Sequence, residues 1–238
     1  MPLSAAQSIS QIYVGYYNRA PDAAGLNYWV GRYNAGMSLS DIAQSFSVQT
    51  ESLNNYAYLS NPNIASPTTF LTAVYANLFN RAPDADGLAY WTAQLSSGKS
   101  TVGNAIINII SGAQDTATTL DLTTINNKMT AVLNWAQTMA NIAGATYGAN
   151  EAASAKAIVA AVTSAASSVT AAATSTTSFF ANGGGAAGST FVLTTGVDNV
   201  VGTALNDTIN ATLGTGATLN AFDAINGGSG TDTLNIVD

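Results

Sequence analysis

Asn18-Arg19-Ala20-Pro21-Asp22-Ala23-Ala24-Gly25-Leu26-Asn27-Tyr28-Trp29 returns as Asn80-Arg81-Ala82-Pro83-Asp84-Ala85-Asp86-Gly87-Leu88-Ala89-Tyr90-Trp91. The register extends beyond the block: Tyr13 matches Tyr75, Tyr17 matches Phe79, Gly36 matches Gly98 and Ser38 matches Ser100. Self-similarity at a fixed offset is the mark of a repeated supersecondary unit. Each unit reads as a helix entering a Pro-Asp turn, then a second helix beginning near Gly25 or Gly87. Proline stops the first helix, because it lacks an N–H and biases the residue before it away from helical angles. In the second helix Leu26, Trp29, Val30 and Tyr33 fall at i, i+3, i+4 and i+7, an apolar stripe. Gly36 and Gly98 suit its C-terminal stop. Ser38 or Ser40, with Asp41 following, caps a third helix through about residue 53. A contact of Arg19 with Asp22, or Arg81 with Asp84, is expected to fix the angle between helices. The repeats are placed at about 13–53 and 75–115.

Outward from the repeat, residues 120–148 carry Ile125, Met129, Val132, Trp135 and Met139 as a further helix or pair, ending at Gly144 or Gly148. Residues 151–178 are so dominated by Ala, Ser and Thr that only Ile158, Val159, Val162 and Val169 are larger apolar groups. Ile158, Val162 and Val169 share a helical face, which predicts a helix packed closely through small residues. Disorder beyond about residue 165 is the competing reading. Every Lys and Arg lies at or before Lys156, whereas the segment after it holds Asp198, Asp207, Asp223, Asp232 and Asp238. The expected architecture is therefore mainly α: a helical N-terminal domain over 1–180, made of repeated helix-turn-helix units with further helices at 120–178. A Gly-rich hinge at 181–189 and a short parallel β-roll over 190–238 follow it.

Six Lys+Arg against thirteen Asp+Glu give the 238 residues a net charge of -7, and charged residues are only 8%. A typical soluble chain carries about 25%. Scattered, scarce cations are a poor footprint for nucleic acid or an anionic membrane. Without Cys or His there is no disulfide, no usual zinc or iron site and no His-based triad. Glu51 and Glu151 are the only glutamates, on separate segments, and no base stands ready to activate a Ser or Thr. A non-enzymatic protein is expected. No run of 18 apolar residues predicts a membrane span. Met1–Ser8 lacks the basic and apolar regions of a secretory signal.

Gly227-Gly228-Ser229-Gly230-Thr231-Asp232-Thr233-Leu234-Asn235 fits G-G-x-G-x-D-x-U-x, the nonapeptide of calcium-binding parallel β-rolls. Glycines allow a tight turn whose carbonyls face a cation, Asp adds a hard anionic oxygen, and the apolar residue closes the roll core. A degenerate partner, Gly202 to Asn210, keeps the Asp-x-apolar half, and Gly196-Val197-Asp198-Asn199-Val200 repeats the spacing. Asp232 is the leading calcium ligand, with carbonyls at Gly228 and Gly230, side chains of Asp207 or Asn206, and Asp198 in the earlier turn. Ordinary Asp/Gly turns without an ion are the plain alternative.

The aromatic residues crowd into the first half. Tyr and Trp stack on sugar faces, and a surface rich in Asn and Tyr with little charge suits neutral glycan. Trp29 and Trp91 lie on the apolar stripe and read as core. Tyr16, Asn27, Tyr28 and Tyr90 lie off it, and together with Asp86 of the acidic turn they form the candidate glycan-binding set. Asp84-x-Asp86-Gly87 also echoes the start of an EF-hand loop but lacks its downstream Glu.

At Asn-Arg-Ala-Pro-Asp-x-x-Gly-Leu-x-Tyr-Trp the chain resembles a helical domain of bacterial extracellular proteins often found beside calcium-binding repeats. Two such units, an Ala/Thr-rich stretch and then Gly-Asp repeats resemble the N-terminal region of RTX-type S-layer proteins of alphaproteobacteria. The resemblance implies a secreted, cell-surface structural protein, exported by type I secretion through a C-terminal signal. Its helical domain would hold the lipopolysaccharide O-antigen, a surface polysaccharide, and its β-roll would bind calcium and self-associate in a lattice. No sugar-contacting residue carries over, because no shared motif for one is present. The alternative is a helical structural or partner-binding module of an RTX adhesin or other type I-secreted protein.

Overall fold

The computed structural model describes residues 3–115, 119–142, 145–185, 187–203, 205–228 and 232–238. Among the described residues it is mainly helical, with 11 helices and a few short parallel strands near the C-terminus. Two compact units divide the chain: residues 1–137 with 154–176, and residues 138–153 with 177–238. Among the described residues no helix is long and apolar enough to cross a membrane.

The first unit holds the repeat. Its first copy is α1 (Ala5–Tyr17), α2 (Ala23–Asn34), α3 (Leu39–Ser47) and α4 (Thr50–Asn55). After the single turn α5 (Ala57–Ser60), the second copy is α6 (Thr68–Phe79), α7 (Ala85–Ser96) and α8 (Val102–Asp115). The repeated motif is a helix exit and a helix entrance in one. Asn18 and Asn80 end α1 and α6 in the left-handed region, at φ 50° and 56°, where Asn is among the few tolerated residues. Asp22 and Asp84 then cap α2 and α7, accepting from Gly25 N at 2.6 Å and Gly87 N at 2.7 Å. Gly36, at φ 98°, closes α2: its N–H donates to Tyr33 O while that of Met37 reaches Arg32 O, a Schellman end.

The expected Arg19–Asp22 and Arg81–Asp84 pairs do not form, because both aspartates are turned into the helices they cap. Arg19 instead grips Glu51 of α4, with Nε to Oε1 at 2.9 Å and Nη2 to Oε2 at 2.6 Å. Arg81 grips Asp121 in the same fork, at 2.9 and 2.5 Å. Asp121 belongs to α9 (Thr119–Ala140), which follows the second copy.

Like helices pack on like. In α1 every residue from Ile9 to Tyr17 is buried, so it lies at the centre of the unit rather than on its surface. It meets α6 at Gly15, against Leu78, and Asn77 Nδ2 donates to Gly15 O at 3.0 Å. Asn77 is the counterpart of Gly15, so equivalent positions face each other, as in an isologous interface. Helices α3 and α8 meet at Gly103, where a Cβ would collide with Ser40 O and where Gly103 N donates to Gln44 Oε1 at 2.9 Å. With α1 enclosed, α2 is left outside: Leu26 is its only buried residue, Trp29 and Val30 are half-buried and Tyr33 is exposed. The third helix, expected to reach residue 53, breaks at Val48–Gln49 into α3 and α4.

Lys128 of α9 is fully buried between the C-terminal ends of α1 and α6. Its Nζ donates to Asn18 Oδ1 at 3.1 Å and Asn77 O at 2.5 Å. The partial negative charge of two helix C-termini favours a cation there. The Ala/Ser/Thr-rich stretch is two helices, α10 (Ala149–Ala160) and α11 (Ala166–Ala181), rather than one. Between them Val162 is fully buried, while Thr163 N donates to Ser168 Oγ and Ala165 N to Thr163 Oγ1. Such side-chain bonds compete with the helical ladder. Gly144, one of the two expected stops, lies outside the described residues; α9 ends at Ala140.

In the second unit five strands wind as a coil. β1 (Ala187–Val192), β3 (Asn206–Thr212) and β5 (Thr233–Val237) form one parallel sheet, and β2 (Asn199–Val201) and β4 (Ala224–Asn226) another. Thr190 pairs with Thr208 and Thr208 with Thr233, so the second coil is the longer. The excess is the turn from Leu213 to Leu219, where Gly214 and Gly216 take positive φ. Leu193, Val200, Ile209 and Ala211 fill the space between the sheets, with Phe191 and Leu219 against them.

Candidate functional site

The sequence candidates separate sharply once burial is known. Tyr16 leaves the glycan-binding set. It has 0% exposure, its hydroxyl donates to Ala43 O at 2.8 Å, and burial drives its pKa well above the usual tyrosine value. Its place at the centre of α1 is set by packing against the other helices, which periodicity within one helix does not reveal. Asn27, Tyr28, Tyr90 and Asp86 are exposed. Tyr28 and Tyr90 are 58% and 56% accessible. Each meets the following Trp edge to face: Tyr28 on Trp29 at 5.0 Å, Tyr90 on Trp91 at 4.9 Å, both at 79°. Such T-shaped contacts hold rings rigidly. The two repeats thus present the same aromatic pair twice.

Beside each Trp is a cleft. In the first copy it has a volume of about 220 Å³ and is lined by Tyr13, Tyr17, Arg19, Trp29, Phe46 and Glu51 among others. In the second copy it measures about 370 Å³ and is lined by Tyr75, Phe79, Arg81, Trp91, Asn108 and Asp121, and by Asp84 among others. Of the six named in the first copy, five are matched here by their repeat counterparts. The sixth, the carboxylate, is not: Asp121 does the work of Glu51 from another helix. The Arg19 guanidinium lies 5.1 Å from the Tyr17 ring centre and 5.7 Å from that of Tyr13. Arg81 lies 5.5 Å from the Tyr75 ring centre and 5.9 Å from that of Phe79. With Arg19 matched by Glu51, the first cleft is aromatic, hydrogen-bonding and close to neutral, whereas the second, where Asp84 joins Arg81 and Asp121, carries one more carboxylate than cation. The Asp121 hydrogen bond is the main reason the Arg81 pKa is raised. Sequence reasoning missed Glu51 and Asp121 because they are not equivalent by offset.

The second candidate lies in the β coil, where two rows of aspartate stack. In one, Asp207 N donates to Asp232 Oδ1 at 2.9 Å across 25 residues, and Ser189 N donates to Asp207 Oδ1 at 2.5 Å across 18 residues. In the other, Asp198 N donates to Asp223 Oδ1 at 2.8 Å. Asp207 also accepts from Thr203 N at 2.6 Å, Asp198 from Thr194 N at 2.7 Å and Asp223 from Asn220 N at 2.7 Å. Asp207 and Asp223 therefore each close their own turn and cap the coil beneath. Thr203 N is the first reason the Asp207 pKa is held below the usual value, and Ser189 N adds to it.

Of the expected calcium ligands, Asp207 and Asp232 come together, and Gly228 lies against Thr203, whose N–H Asp207 accepts. Asp198 stands in the other row, Asn206 lies beside Asp207 at the start of β3, and Gly230 lies outside the described residues. A Cβ on Gly202 would strike Gly227 O and Asp207 Oδ2, one on Gly227 would strike Asp232 Oδ2, and one on Gly228 would strike Thr203 O. Carbonyl and carboxylate oxygens thus converge where only glycine fits, a donor set of the hard type calcium takes. Among the described residues no three His, Cys, Asp or Glu cluster as a metal site, so a cation here would draw on the backbone carbonyls as well. Asp223 is the acidic partner the sequence reading left out. Glu151 has other duties: Oε1 accepts from Gly185 N and Oε2 from Gly148 N.

These features define a tandem helical-repeat protein that runs into a parallel β coil. Residues 2–56 and 59–117 match a domain of unknown function (DUF4214), in two copies that coincide with the two helical repeats. No curated protein and no solved structure matches the chain.

Proposed function

We propose that this chain is the cell-surface anchoring region of a secreted, S-layer-like protein. Its helical repeats bind surface polysaccharide, the O-antigen of lipopolysaccharide, noncovalently, and its β coil binds calcium and leads into a self-associating lattice. The observation that carries the reading is the duplicated, exposed Tyr–Trp pair beside an aromatic cleft whose arginine is paired with a carboxylate, on a chain of net charge -7. Rigid aromatic faces with a few fixed polar groups are what a neutral, hydroxyl-rich ligand requires. The role is binding, with no reaction assigned. Calcium would be held by Asp207 and Asp232 with carbonyls of Thr203 and Gly227, and it would lock successive coils by neutralising their stacked carboxylates.

A second reading rests on the arginine pairs: Arg19 and Arg81 are each tied to a carboxylate on another helix, which suits a structural or partner-binding module of an RTX adhesin or other type I-secreted protein. Cosedimentation separates the two. The chain is mixed, with calcium or with chelator, with cells of the producing bacterium stripped of surface protein and with isogenic cells lacking O-antigen. Binding only to cells that bear O-antigen is expected. Equal binding to both, or binding to neither, refutes the anchoring reading.

A further inference from the structure

The duplication itself carries a consequence for how a ligand is held. The clefts beside Trp29 and Trp91 share aromatic walls, an Arg–carboxylate fork on one side and an exposed Tyr braced on the Trp. Their volumes, about 220 and 370 Å³, lie just below and just above the lower bound of the roughly 300–1,000 Å³ typical of drug-sized pockets. The clefts are small, with room for a short stretch of sugar at most and not for a long chain. The fork is available from one side in each copy: the Glu51 side chain is 41% exposed in the first, that of Arg81 43% in the second. A fork of parallel donors and acceptors suits the adjacent hydroxyls of a pyranose, and the ring stacks on the aromatic wall. The pairing of both arginines, with Asp84 besides in the second cleft, disfavours a polyanion.

We propose that the two clefts are equivalent subsites that read a polymer of repeating neutral sugar units bivalently, one unit per helical repeat. This rests on the polysaccharide reading above and adds to it where, and how many times, the polymer is gripped. Two weak sites on one rigid body raise affinity for a repeating polymer over that for a single unit by roughly 10²-fold or more. It also explains why carboxylates from unlike positions, Glu51 and Asp121, complete both forks.

The test uses the full chain and O-polysaccharide released from lipopolysaccharide of the producing bacterium, either whole or cut to single repeating units. Calorimetry with single units is expected to give two sites per chain. Trp29→Ala or Trp91→Ala is expected to give one site and to lower affinity for the whole polymer at least tenfold. The double variant is expected to bind neither. Because Trp29 also touches Phe46, at 5.2 Å between rings, rim-filling variants that leave the core intact are made in parallel: Gln49→Trp in the first cleft and Asn108→Trp in the second. These should reproduce the loss of one site each, with an unchanged melting temperature. A wild-type chain that binds no polysaccharide overturns both this inference and the anchoring reading. Binding that persists in the rim-filling variants, or one site per wild-type chain, overturns the bivalent inference alone, as does undiminished binding after periodate has cleaved the vicinal diols.

Discussion

Lys128 makes the stability of the helical unit rise with pH where most proteins are level. Burial lowers its pKa from 10.5 to about 8. The native state therefore releases this proton before the unfolded chain does, and between about pH 8 and 10.5 the unfolded state holds more protons. Stability must increase with pH over that interval. At about 1.4 kcal/mol per tenfold change in proton affinity, the charged lysine costs folding roughly 3 kcal/mol at pH 7, recovered as pH rises through that interval. For a unit of this size that is about 6–12 °C in melting temperature. The tyrosines oppose the trend only at higher pH. Tyr16, Tyr17, Tyr58 and Tyr75 are raised above 10 and Tyr56 is pushed up to about 12, each chiefly by burial. Their contribution is complete below pH 10 and is lost as pH climbs through their folded values. A stability maximum near pH 10 is expected. Guanidinium unfolding at pH 7, 8, 9 and 10, followed by helical circular dichroism, measures it. Lys128→Met should abolish the rise. At pH 7 it should be nearly neutral, because relief from the buried charge offsets the roughly 1–3 kcal/mol of leaving Asn18 Oδ1 and Asn77 O unpaired. A rise of equal size in the variant, or a flat wild-type profile, would refute the reasoning.

Arg19→Met leaves Glu51 without its fork and should cost about 1–3 kcal/mol by urea unfolding, whereas Asp22→Ala, which removes only a helix cap, should cost about 1 kcal/mol. Equal losses would mean that the turn, not the fork, fixes the helices. Gly228→Ala, at φ 91° and facing Thr203 O, should displace the second β coil and remove any calcium-induced rise in melting temperature. A normal calcium response in this variant would show that the ion binds elsewhere. Asp207 is held below the usual carboxylate range, so its stabilisation is present above about pH 4 and disappears as pH falls through its folded value. Asp207→Asn should weaken the β unit at pH 7 and flatten its acid dependence, read by hydrogen exchange at β3.

What the sequence makes legible is what recurs within it. The offset repeat locates α1 and α6, α2 and α7, α3 and α8, and the Gly-Asp spacing places Asp207 directly beneath Asp232. Both follow from local chemistry: an Asn that tolerates positive φ, a Pro that cannot continue a helix, a Gly that lets coils touch. The reading fails where two distant segments settle a residue's role. Asp22 looks like the partner of Arg19 because it is three residues away, yet a carboxylate at an N-cap is already committed to a backbone N–H, and the arginine must find its anion elsewhere. Tyr16 looks peripheral to any stripe because α1 has no polar face at its C-terminal half; a helix buried on all sides has no stripe to be off. The same logic explains why the cleft survives in both copies although its carboxylate does not recur. An arginine held over two rings at a helix exit needs an anion within reach, and the fold supplies one from α4 in one copy and from α9 in the other. Geometry around the arginine, rather than identity at the matching position, is what the duplication has kept.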